Sequence, residues 1–215
     1  MTDIDKIILS YHDCLLRKSD VDLLIEPNWI NDALIGFYLE YLGKTLKLPN
    51  FAKILYSSPE LTQLLKMTDS SEVSFFLDPL NALQKNFIFF PLNNCERRNS
   101  SGGSHWSLLV YSKIECSYFH FDSLSKSNEI IARNFIRNLD KYLIIGDKNG
   151  TFIEVNSPQQ ENCYDCGIYV MCITDILTEY VTKHSKVKGC DLENVKRLVS
   201  EKRNNLTELI NSLKT

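Results

Sequence analysis

Pro158, Gln159, Gln160, Glu161, Asn162, Cys163, Tyr164, Asp165, Cys166 and Gly167 constrain this chain more than any other stretch. They join a β-branched and aromatic run at 151–155 to an apolar run in which Ile168, Cys172, Ile176 and Tyr180 recur every four residues, the spacing of one helix face. The polar stretch therefore reads as a loop that ends where a helix begins. A thiol in the first turn of a helix meets unpaired backbone N–H groups and the positive end of the helix dipole, which stabilise negative charge on sulfur. Cys166 is thus placed like a nucleophile. The Cys163/Cys166 pair is also compatible with a redox couple, half of a zinc site or a structural thiol. A zinc site needs a second ligand pair, and no other C-x-x-C or H-x₃₋₅-H occurs, so no metal is expected.

Short aromatic and β-branched runs at 87–90, 106–111, 118–122 and 151–155 predict strands. Apolar spacing predicts a helix from Asn31 with Gly43 as a stop, a short one over 72–77, and longer ones over 129–143, from Cys166, and over 194–213. Ser58 before Pro59 reads as an N-cap followed by a first-turn proline. Residues 11–16 read as weakly helical. The expected fold is α+β, one domain over residues 1–215, with helices gathered at both ends of a small, mainly antiparallel sheet. A chain of 215 residues buries a core without metals or disulfides, and its 7 cysteines at unpatterned spacings suit a reducing compartment, hence cytoplasm or nucleus. A net charge of −3 argues against binding nucleic acid by bulk charge. No apolar run has membrane-spanning length, and the first ten residues lack the apolar core of a signal peptide.

A thiolate nucleophile needs a base, and the base needs an acceptor that orients it. Of 4 histidines, His12 and His184 lie in polar segments and read as solvated. His120 lies inside a strand, on the same face as Asp122 by alternation, and reads as a core or surface strand residue. His105 is the better candidate, because it follows Gly102, Gly103 and Ser104 at the opening of a strand. Asp122 ends the neighbouring strand, where a short carboxylate reaches across to a histidine that begins the adjacent antiparallel strand. Such an acceptor fixes the ring tautomer and stabilises the imidazolium.

The order His105, Asp122, Gln160, Cys166 is carried by Ser104-His105-Trp106-Ser107, Phe121-Asp122-Ser123-Leu124, and the loop from Pro158 to Gly167. It resembles the ubiquitin-like-protein proteases, which include the sentrin-specific proteases, and Trp29-Ile30-Asn31-Asp32 resembles their N-terminal tryptophan motif. The likeness covers about residues 11–180. It is most similar to the small deneddylase branch through Ser19-Asp20-Val21, Leu23-Leu24, Pro27, Ile35-Gly36-Phe37 and Glu40-Tyr41. The resemblance implies a papain-like cysteine protease domain without a cofactor, acting as a monomer on the neddylation modifier and on its conjugates such as cullins. It implies Cys166 as nucleophile, His105 as base and then acid, Asp122 as the orienting acceptor, and the Gln160 amide with the Cys166 N–H as oxyanion hole. Trp29 and Trp106 would wall a channel for a Gly-Gly tail, and Asp32 would pair with a basic residue of that tail. The surface loop at 99–104 would close over the tail on Gly102 and Gly103 hinges, and Gln159 would matter little. A desumoylating protease, an acetyltransferase using the same triad, and an inactive modifier-binding module remain open alternatives.

Overall fold

A computed structural model describes residues 6–47, 53–97, 102–144 and 149–214. The chain opens with an antiparallel hairpin of β1 (Ile7–Tyr11) and β2 (Cys14–Arg17), so residues 11–16 are extended rather than helical. His12 takes a positive φ of 48° at the turn, Tyr11 pairs with Cys14, and alternation buries Leu9 and Leu16. Cross-strand pairing overrides the weak local preference of so short a run.

A short helix α1 (Lys18–Val21) leads to α2 (Asp32–Thr45), where the Asn31 side chain caps the Leu34 N–H. This helix runs past Gly43, which does not stop it. In α3 (Pro59–Lys66) the Ser58 hydroxyl accepts from Leu61 N and Pro59 occupies the first turn, as the sequence predicts. The short α4 (Val73–Leu77) follows.

The main sheet orders β3 (Ile54–Tyr56), β4 (Phe87–Asn93), β5 (Trp106–Ser112), β6 (Ser117–Phe121) and β7 (Thr151–Val155) side by side. Its centre, β4 to β6, is antiparallel, and both edge strands pair in parallel. Strand β3 is too short for its periodicity to register in sequence. The crossover between β6 and β7 is α5 (Glu129–Leu143), and α6 (Cys166–His184) and α7 (Val195–Leu213) complete the chain.

Helices cover both faces of the sheet instead of gathering at its ends. Strand alternation sends Phe87, Phe89, Leu108, Val110, Phe119 and Phe121 into a core shared with α2, α6 and α7. Their neighbours Ile88, Phe90, Leu92, Leu109, Tyr111 and Tyr118 face α4 and α5. Full burial of each large apolar side chain contributes roughly 1.5–3 kcal/mol, which makes the sheet the rigid part of the molecule. The strand ends and helix starts mounted on it inherit that rigidity.

Candidate active site

Cys166 is the first residue of α6, buried to 3% exposure, at the position the sequence assigns it. The Asp165 side chain before it does not cap the helix. It accepts instead from the Arg203 guanidinium of α7 (2.8 and 3.2 Å) and from Asn162 Nδ2 (2.7 Å). The same guanidinium donates to Leu23 O and Asn28 O, both at 2.8 Å. One buried cation thus fixes the helix start at Cys166 to the segment that leads into Trp29. Gly167 closes the junction from the other side, since a Cβ there would lie 2.9 Å from Ile30 Cβ.

His105 lies immediately before β5, and Asp122 immediately after β6. Their side chains meet at 2.6 Å, Nε2 to Oδ1, both fully buried. Asp122 Oδ1 also accepts from Leu124 N and Oδ2 from Asn128 N, each at 2.8 Å. Burial alone would raise the Asp122 pKa, but the bonds from His105 and Asn128 outweigh it and hold the carboxyl below its usual range. For His105, burial opposes the charge, yet the hydrogen bond to Asp122 and then the electrostatic influence of nearby Cys166 push its pKa up to about 9. Asp122 occupies Nε2, and the buried Nδ1 has no hydrogen-bond partner among the described residues. The imidazole is therefore tied through one nitrogen to a fixed carboxylate, with its other nitrogen left without a partner.

The loop before His105 is set by residues that the sequence reading missed. Asn94 Oδ1 accepts from Ser104 N (2.7 Å) and His105 N (3.2 Å), and Asn94 N donates to His105 O. This requires Gly103, with φ at +88°, because a Cβ there would stand 1.8 Å from Asn93 Oδ1. Positions 99–101 of the expected loop lie outside the described residues.

The loop before Cys166 is zipped to the turn after Asp122. Gln160 N donates to Ser123 O (2.9 Å), and the Ser123 hydroxyl donates to Gln160 Oε1 (2.7 Å), which turns the amide so that Nε2 donates to Asn162 O (2.7 Å). One amide hydrogen of Gln160 is left over. Gln159 departs from expectation. Its Nε2 donates to Asp122 O and Ser157 O, and its Oε1 accepts from Ser125 N, so it clamps Asp122's turn to the loop before Cys166. Substitution there removes this clamp.

A cleft of about 640 Å³ opens onto Cys166. Its lining includes Trp29, Asp32, Gly102, Gly103 and Trp106, and so brings together every residue expected to hold a substrate tail. Trp29 is 46% exposed, unlike a core tryptophan, and Trp106 Nε1 donates to Ile30 O at 3.2 Å. Asp32 is exposed in the first turn of α2. The far wall comes from Glu60, Gln63 and Leu64 of α3, which no motif marks. His105, Asp122 and Gln160 do not line the cleft.

With this geometry, the model of the Ulp1 protease family, C-terminal catalytic domain, matches residues 28–213. The chain belongs to the Ulp1 protease family. It is accordingly a cysteine protease, and the matched span holds His105, Asp122, Gln160 and Cys166. Sentrin-specific protease 8 of Rattus norvegicus is 42% identical over 177 residues, covering 82% of this chain and 81% of that one. NEDD8-specific protease 1 of Arabidopsis thaliana is 33% identical, covering 99% and 94%. The fold resembles that of the solved Ulp1 protease domain in complex with Smt3, the yeast ortholog of SUMO. The TM-score is 0.75 at 22% identity, with 97% of this chain and 88% of that one covered.

Proposed function

We propose that this chain is a deneddylase, hydrolysing the bond after the C-terminal Gly-Gly of the neddylation modifier in its precursor or its conjugates, such as those of cullins. The observation that carries the catalytic reading is the buried His105–Asp122 pair beside a cysteine that stands at a helix start and opens onto a cleft. His105 Nδ1 takes the Cys166 proton, and the sulfur attacks the carbonyl carbon of the last glycine. Negative charge then develops on the carbonyl oxygen, toward the first-turn N–H of Cys166 and the spare amide hydrogen of Gln160. Imidazolium returns the proton to the leaving amine, a thioester remains, and water activated by His105 releases the modifier with its free carboxyl group. The enzyme acts as a monomer, without a cofactor, in cytoplasm or nucleus.

Gln160→Ala is expected to lower kcat by roughly 10²–10³ with little change in KM, because the donor it removes acts on charge present only in the transition state. Single-turnover release of a C-terminal fluorophore from the modifier measures this. Near-normal kcat would remove Gln160 from the reaction.

Specificity rests on the cleft and on the likeness to NEDD8-specific protease 1. Trp29 and Trp106 leave room for glycine backbone, a demand that ubiquitin, sentrins and the neddylation modifier all meet. Asp32 adds a carboxylate for an arginine just upstream, which disfavours the less basic sentrin tails. Because Asp32 is exposed, its pairing is worth about 1 kcal/mol, and Asp32→Ala should raise KM for the neddylation modifier about fivefold. A panel of modifiers bearing C-terminal fluorophores at equal concentration should rank the neddylation modifier well above ubiquitin and any sentrin. A faster sentrin would make the chain a desumoylating enzyme with the same chemistry.

A further inference from the structure

A second histidine–carboxylate pair lies in the same sheet. His120 is fully buried in β6, with Nδ1 2.7 Å from Glu154 Oε2 of β7 and Nε2 2.9 Å from Ser107 Oγ of β5. Asn128, also fully buried, donates from Nδ2 to Ser107 Oγ (3.0 Å) and to Leu92 O of β4 (3.2 Å). Its own backbone N–H is the donor that holds Asp122 Oδ2.

One proton assignment satisfies the bonds of this row. Leu92 O only accepts, so the Asn128 amide must present its nitrogen. Ser107 Oγ accepts from that nitrogen and has its hydroxyl hydrogen free for His120 Nε2. In that assignment His120 Nδ1 is the donor to Glu154 Oε2. The row crosses four neighbouring strands, β4 to β7, and ends on Asp122.

Asn128 stands at the N-cap of α5, yet its side chain makes no cap bond. The stabilisation a capping asparagine normally supplies is forgone, and four polar side chains lie on the sheet face whose apolar members include Phe90, Leu109 and Tyr118. A sheet needing only packing would fill these places with apolar groups. What the polar row achieves is a fixed direction for one N–H.

We propose that Asn128, held by Ser107, His120 and Glu154, positions Asp122 and thereby aims His105 at Cys166. The inference rests on the reading of these three as the catalytic triad. Asn128, Ser107, His120 and Glu154 are positioning residues, since none touches substrate.

The test compares Ser107→Ala, His120→Phe, Glu154→Ala and Glu154→Gln with the natural chain. Active sites are counted with a neddylation modifier bearing a C-terminal electrophile, and turnover of the fluorogenic modifier is followed across pH. Ser107→Ala and His120→Phe should each lose roughly tenfold in kcat per labelled site at unchanged KM, a fraction of the ~10²-fold cost of a full 1 Å misplacement. The alkaline limb of the rate profile should move to lower pH, because a histidine less firmly tied to Asp122 loses its proton sooner. Glu154→Gln, whose Oε1 still accepts from His120, should lose less than Glu154→Ala. That pair at the sheet edge carries the test should His120→Phe fail to fold. Reduced melting temperatures with unchanged kcat per labelled site and an unmoved alkaline limb would overturn the inference alone. A natural chain that the electrophilic modifier fails to label would overturn the triad and the inference with it.

Discussion

Cys166→Ala is expected to abolish turnover, by roughly 10⁶-fold judging from the loss of a nucleophile in hydrolases of comparable design, while modifier binding persists. The cleft explains the separation, because the residues expected to hold the tail reach it from the 29–32 and 102–106 segments rather than from the sulfur. Calorimetric titration of Cys166→Ala with the neddylation modifier should therefore give a dissociation constant close to that of the natural chain. Two other thiols lie near enough to test the assignment. Cys163 is exposed in the preceding loop, and Cys95 lines the same cleft. Only Cys166 follows an N-cap fixed by a buried guanidinium and acts on the pKa of His105. An electrophilic modifier should add its mass to the peptide containing Cys166, and Cys163→Ser should remain labelled there. Turnover by Cys166→Ser with loss in Cys163→Ser would move the nucleophile three positions upstream.

How far the site could be read from sequence depends on whether a residue works through its neighbours in the chain or through the fold. The start of α6 at Cys166 was legible because the apolar period begins there, and the strand ends at His105 and Asp122 because turn residues bound the β-rich runs. Asn31 and Ser58 announced their helices by local capping chemistry, which spans only three residues. Arg203 was invisible, since its role is to join Asp165, 38 positions earlier, to Leu23 O and Asn28 O. Nothing near Arg203 in sequence hints at that reach. Asn94 and Asn128 were missed for a related reason: in a turn or at a helix start asparagine is ordinarily explained by local bonds, and here the bonds run to another strand or another loop. The α3 wall of the cleft escaped because Glu60, Gln63 and Leu64 follow ordinary amphipathic spacing. The hairpin at 7–17 was misjudged because its partner strand, not its own composition, decides its state.

Asp122→Asn should preserve the fold yet reduce kcat by roughly 10⁴-fold, the scale seen when the corresponding acceptor of a serine triad is made an amide. The three bonds on Asp122 show why. Oδ1 accepts from His105 Nε2 and Leu124 N, and Oδ2 accepts from Asn128 N. An amide has one oxygen for these two places. With its nitrogen toward His105, it donates to Nε2, moves the ring proton to Nδ1 and leaves no site for the Cys166 proton. In the other orientation its nitrogen faces the Asn128 N–H, donor against donor, and the turn is forced to shift. Either arrangement also removes the negative charge that helps lift the His105 pKa from 6.5 to about 9. A histidine raised in this way stabilises the fold fully below 6.5 and progressively less as pH climbs through 9, whereas the depressed Asp122 stabilises above 3.8 and loses that contribution in acid. The natural chain should therefore exceed Asp122→Asn in melting temperature most clearly between these two limits, with the gap closing toward pH 9 and beyond. Residual turnover of the variant should fall off at lower pH than that of the natural chain. Full activity in Asp122→Asn, or an alkaline limb that stays in place, would mean that another group orients His105.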